Sequence, residues 1–220
     1  LTAKLGDETF SAPGFDPAVS GPVIGLFGGE KFFQLPSGGG RAEAALQIDL
    51  SAGPTGLYDL ELLNGIYESS GLSFVGDLRQ SNDKIVSVYS VESPFGAGWG
   101  LVGLFEIVQN RDGSLLLIDG DGTEALYLPP AQPGESFISP PGDFSVLRQN
   151  VLTGRFERRM PDGMLYQFNG QNKLESVRDR NANTTRYSYD GAGRLKQWED
   201  PAGLITTFAY SSNEVTITDP

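Results

Sequence analysis

A repeat of about 21 residues near the C-terminal end constrains this chain more than any other feature. Three stretches line up, 164–177, 185–198 and 206–217. Tyr166 and Phe168 stand 21 positions before Tyr187 and Tyr189, which stand 21 before Phe208 and Tyr210. Leu174 and Val177 recur as Leu195 and Trp198, and Asp179 recurs as Asp200. The unit reads as strand, turn, strand: residues 186–189 extended, 190–193 turning, 194–198 returning. Tyr187 and Tyr189 are two apart and share a face. Asp190 suits the turn because its carboxylate reaches backbone amides, and Gly193 because it tolerates positive φ. One hairpin cannot bury its apolar face, so the units are expected to stack into a continuous sheet. Asp219-Pro220 reads as the opening of a further unit, so the pattern is expected to run on.

Upstream, short alternating runs between turn residues point to an all-β chain, and no stretch carries a sustained helical period. Leu46, Ile48 and Leu50 alternate with polar residues over 44–50, as do Tyr58, Leu60 and Leu62 over 57–62. The segments 72–75 and 84–91 are further strand candidates. Together these suggest a small β-sandwich over 40–93. The Gly-rich stretch 36–41 is expected to be a loose joint, with 1–39 an extended segment serving as a first strand or a strap. Residues 94–128 read as a junction followed by hairpins, with strands over 104–110, 114–118 and 123–128. Asp112-Gly113 and Asp119-Gly120-Asp121-Gly122 supply their turns. A Pro-rich loop fills 129–142, and the repeats occupy 143–220. In the stretch 93–99, Phe95 and Trp99 are expected to anchor the junction by burying both rings.

Absent residue types narrow the chemistry. There is no Cys and no His. Disulfides, thiolate nucleophiles, Ser-His-Asp triads and imidazole metal sites are therefore excluded. No apolar run reaches the ~18–20 residues of a membrane-spanning helix, and the first ten residues lack the basic and apolar regions of a signal peptide. The net charge of −12 sits in the front of the chain: residues 1–150 carry 7 Lys and Arg against 19 Asp and Glu, while 151–220 carry 9 of each. An acidic front half repels phosphate backbones and anionic lipid, so neither nucleic acid nor membrane insertion is expected.

The residues Tyr187, Tyr189, Asp190, Gly193, Arg194 and Leu195 resemble the RHS or YD repeat, whose units run Tyr-x-Tyr-Asp-x-x-Gly-Arg-Leu. The preceding unit departs from it with Asn169 and Asn172, and the final one with Ser211. The stretches 56–63, 90–104 and 113–128 resemble the region that precedes the repeats in very large bacterial cell-surface RHS proteins. The resemblance implies a spiralling β-sheet that winds into a hollow shell, as in toxin-complex cocoons and teneurins, with residues 44–93 similar to an immunoglobulin-like plug. It implies an extracellular or cell-surface location and, as partners, the rest of the shell and an enclosed C-terminal domain. Cargo and self-cleaving domain lie beyond this segment in that family.

Three constellations stand as alternatives to architecture. Asp119, Asp121 and Glu124 have the flavour of a calcium loop, but only the first two match its spacing, and a hairpin turn is the better reading. Asp179, Asn181 and Asn183, with Asp190 eleven residues beyond Asp179, fit calcium spacing more closely. Thr184 stands there in place of the required Gly, and the segment must also turn and enter a strand. The aromatics Tyr187, Tyr189, Trp198, Phe208 and Tyr210 read as repeat core if buried and as a glycan-stacking strip if exposed. That strip, or the Pro-rich loop, would make an adhesion module for a carbohydrate or a receptor. Carboxylate-pair hydrolysis has no distinguished pair of acids. The expectation is a non-catalytic structural module without a cofactor, with calcium and glycan binding as the alternatives.

Overall fold

The computed structural model describes residues 2–5, 8–11, 53–70, 73–89, 92–212 and 214–220. The strand expected over 44–50, the joint over 36–41 and most of the segment 1–39 lie outside the described residues. Every regular element described is a β-strand, and all pairings between strands are antiparallel. The chain divides into two compact units, Leu1–Ser87 and Val88–Pro220.

In the first unit, β1 (Thr2–Leu5) and β2 (Glu8–Ser11) pair with each other, and β1 pairs with β3 (Gly56–Ser70). β3 and β4 (Ser73–Ser87) then form one long hairpin, in register from Gly56↔Ser87 to Ser70↔Ser73. The sequence suggested separate short strands over 57–62, 72–75 and 84–91; residues 57–62 lie within β3, and 73–75 and 84–87 within β4. The polar residues Arg79–Lys84 interrupt the apolar alternation, yet they are exposed and continue β4. Main-chain pairing supports a strand whatever the side chains prefer. Asn64-Gly65, a common hairpin-turn pair, accordingly lies mid-strand opposite Arg79 and Leu78. The second layer of a sandwich is not among the described residues.

The second unit is a meander. β5 (Glu106–Gln109), β6 (Leu115–Ile118) and β7 (Glu124–Tyr127) form a three-stranded sheet in the expected hairpins. Eight more strands follow, each paired with the next: β8 (Val146–Gln149), β9 (Phe156–Arg159), β10 (Leu165–Phe168), β11 (Leu174–Arg178), β12 (Thr184–Tyr189), β13 (Leu195–Glu199), β14 (Ile205–Tyr210) and β15 (Val215–Thr218). Two stitches join the sheets into a closed ring. On one side the Pro-rich loop bridges β7 to β8: Leu128 pairs with Ile138, and the Phe137 amide donates to the Leu147 carbonyl at 2.9 Å. On the other, β5 meets the start of β11, where the Ile107 amide donates to Asn172 at 2.9 Å and the Leu174 amide to Phe105 at 3.0 Å. Inside the ring lies one core of Ile107, Leu115, Leu117, Tyr127, Leu147, Phe156, Phe168 and Leu174. β6 is buried along its whole length, as its unbroken run of Leu and Ile anticipates. The repeats continue outward from this ring through β12 to β15.

Candidate functional site

The repeat motif is the part of the structure in which sequence pattern and contacts recur together. Each unit of 21 residues holds two strands and two turns, one at each end. Asn169, Asp179, Asp190 and Asp200 open successive turns, and each side chain accepts backbone N–H bonds two and four residues ahead at 2.8–3.1 Å. An amide or carboxylate at that point satisfies donors that the turn removes from the ladder. The turns close through positive φ at Asn172, Ala182, Gly193 and Gly203. At Ala182 an L-residue with a Cβ occupies the left-handed region, which costs roughly 1–2 kcal/mol.

Between neighbouring units the contacts also recur. The Tyr189 hydroxyl donates to the Leu174 carbonyl at 2.7 Å, and the Tyr210 hydroxyl to the Leu195 carbonyl at 2.7 Å. Lys173 lies 5.9 Å from the Tyr189 ring centre and Arg194 4.6 Å from that of Tyr210. Arg194 also bonds Asp190 through Nε at 2.8 Å. The roles of the motif follow. Tyr189 latches backward onto the preceding unit, Asp190 caps the turn, Gly193 takes φ 75, Arg194 reaches forward to the next tyrosine, and Leu195 is buried. Burial raises the pKa of both latching tyrosines, which keeps their hydroxyls protonated as donors. The Arg194 backbone amide, then its side chain, holds the Asp190 carboxyl below its ordinary value. Tyr189→Phe and Tyr210→Phe are each expected to cost about 1 kcal/mol, the net worth of one hydrogen bond, measured by urea unfolding. A destabilisation near zero for both would show that the latch carries no energy.

The last hairpin breaks the pattern. Its connection from Tyr210 to Val215 is one residue shorter than that from Tyr189 to Leu195, and it lacks the bulge that β10–β11 and β12–β13 share. Ser211 replaces the capping acid there, so the Asp–Arg pair is lost with it.

The aromatics form a stack on one sheet face. Trp198 packs between Tyr187 and Phe208, at 6.5 and 5.1 Å between ring centres. Tyr210 meets Phe95 at 6.2 Å, and Phe95 also meets Phe208 edge-on at 6.3 Å. Trp99 differs from the sequence expectation: the residue is 73 % exposed, and it is tied through its backbone, to Gly96 and to the Ser93 hydroxyl. The tight turn 93–99 points Phe95 toward the repeats and leaves the second ring outside the packing.

Asp119, Asp121 and Asp179 accept backbone hydrogen bonds, mostly within their own turns. Asp179 accepts from the amides of Asn181 and Asn183 and from Asn183 Nδ2 at 2.8 Å. The Asn183 side chain, followed by those backbone amides, lowers its pKa. Asp121 accepts from the Thr123 amide. Asp119 takes the Gly103 and Gly120 amides, both at 2.6 Å. Among the described residues no group of three or more acidic side chains is placed to hold a metal ion.

Two features escaped the sequence reading. The first is a backbone crossing in which Gly100 and Gly120 lie against each other. A Cβ at Gly100 would stand 1.8 Å from the Gly120 carbonyl oxygen, and one at Gly120 1.9 Å from that of Leu101. The second is a largely buried polar network at the ring's seam. The Tyr127 hydroxyl donates to Asp143 at 2.6 Å and lies 2.8 Å from Ser145 Oγ, while Arg158 donates to Asp143 and Ser145 at 3.0 Å each. Burial, then the hydrogen bond to Asp143, pushes the Tyr127 hydroxyl up to about 12. No motif links these residues in the chain.

On the face opposite the aromatics, an open groove of about 560 Å³ crosses β10 to β13 and is lined by groups such as Gln167, Arg178, Arg186, Gln197 and Glu199. Its charges are of both signs. Arg155 pairs with Glu175 at 2.8 Å, and Arg186 stands 3.8 Å from Glu199.

The family model described as RHS Repeat matches residues 168–197 and 189–220, two windows whose starts are one repeat apart. No curated protein matches the chain.

Proposed function

We propose that this chain, whose residues 168–220 match the RHS Repeat model, is a non-catalytic structural module of a secreted or cell-surface RHS-repeat protein. It seeds and caps a β-shell that encloses or displays a C-terminal cargo made elsewhere in the parent chain. The supporting observation is the closed ring. Stitching β5 to the start of β11, and β7 through residues 136–138 to β8, occupies strand edges on both sides of the small sheet. Beyond the ring, β15 pairs with β14 on one side, and its other edge takes no strand among the described residues. Paired edges resist uncontrolled association, and an open edge accepts the next strand. A start of this kind sets both the position and the direction of growth.

Ile107→Pro tests seeding, because it removes the amide that bonds Asn172 and opens the ring at β5. Hydrogen exchange in β12 to β15 should then accelerate along with that in the ring. Repeats that keep their full protection with the ring open would show that the array needs no seed.

A further inference from the structure

We propose that the turn 93–99 is a conformational clasp which docks only once the third repeat unit has formed, with Phe95 reading the presence of Phe208 and Tyr210. Three observations carry it. First, the turn is internally closed: the Gly96 amide donates to Ser93 at 3.0 Å, the Trp99 amide to Gly96 at 3.0 Å, and the Ser93 hydroxyl to the Trp99 carbonyl. Second, its C-terminal end is pinned, because Gly100 lies against Gly120 and the Gly103 amide bonds Asp119. Third, the turn reaches the repeats through a side chain. Among the described residues no backbone hydrogen bond joins 92–99 to the repeats, whereas the Phe95 ring packs on Phe208 and Tyr210.

The partners of that ring come more than a hundred residues later and belong to the last unit described. A chain folding from its N-terminal side can complete the ring from β5 to β11 with no aromatic partner yet present for Phe95. The clasp therefore closes late, and it couples the entry to the ring with the third unit. Gly96 and Gly98 take positive φ, which glycine adopts without a Cβ clash, so the turn closes on itself without backbone strain. The clasp needs only the packing within residues 88–220, so it stands whether or not the sheet winds into a shell.

Hydrogen exchange on the whole chain, read by mass spectrometry over 92–100, tests it. Phe208→Ala should speed exchange of the turn by about tenfold or more, the loss of a ring pair and its burial. Amides of the ring core, such as Leu117, should keep their wild-type rates. Phe95→Ala should reciprocally speed exchange at 206–210. Tyr210→Phe retains the ring and should leave the turn as in the wild type. Unchanged turn exchange in Phe208→Ala would overturn the clasp. So would loss of protection in the ring core together with the turn, which is global unfolding, or a loosening of the turn by Tyr210→Phe as large as that by Phe208→Ala.

Discussion

Gly120→Ala is expected to destabilise the second unit by about 3 kcal/mol or more, as a steric collision that no side-chain rotation relieves. The added Cβ would stand 1.9 Å from the Leu101 carbonyl oxygen and 2.5 Å from its carbon, so one of two backbone segments must move. Moving either disturbs Asp119, whose carboxylate holds the Gly103 and Gly120 amides. Gly100→Ala should cost a similar amount, since its Cβ meets the Gly120 carbonyl from the other side. The control is Gly122→Ala two residues on. There φ is +86° but the space is open, so only the left-handed backbone penalises the substitution, by roughly 1–2 kcal/mol. Urea midpoints for the three variants separate collision from φ strain. Equal losses at Gly120 and Gly122 would mean that the crossing is not tight.

Arg158→Met is the second large effect, about 3–5 kcal/mol, because it leaves a largely buried carboxylate without its cation. In the pair the side chains of Arg158 and Asp143 are only 11 % and 16 % exposed. Burial works to raise the Asp143 carboxyl, yet hydrogen bonds from Tyr127 and Ser145 and the charge of Arg158 outweigh it and hold the group at about 2. The folded-state value lies below the ordinary 3.8. The stabilisation is therefore complete above about pH 4 and is lost as pH falls toward 2, and it amounts to about 2 kcal/mol. In Arg158→Met that value should rise toward 3.8, so the part of the stability that this carboxyl loses on acidification should shrink, while stability at neutral pH falls. The double variant Arg158→Met, Asp143→Asn should cost less than the sum of its parts, because no buried charge remains. Additive losses would show that the two groups do not interact.

These sites differ in how far the chain announces them. The 21-residue period, the tyrosines, the turn acids and the Gly at 193 each carry a local requirement, and all are legible because every unit repeats the same backbone problem. The hairpins β5–β6–β7 were legible for the same reason: Asp-Gly between apolar runs encodes a turn within a few residues. The β3–β4 hairpin was not, because its polar stretch is held by pairing with a partner strand and not by its own alternation. Phe95 and Trp99 look equivalent in sequence, four residues apart in one turn. Only the position of Phe208 and Tyr210, more than a hundred residues later, distinguishes the packed ring from the exposed one.

The sequence by itself determined an all-β chain built of stacked hairpins, the phase of its repeat and the residue types that make each turn, since these depend on contacts within one unit. Tertiary structure alone decided that the small sheet closes with the first repeats into a ring, that Gly100 and Gly120 cross, and that Tyr127, Asp143, Ser145 and Arg158 share one network. Each of these joins segments whose separation in the chain obeys no period. Their chemistry appears only when folding brings the segments together.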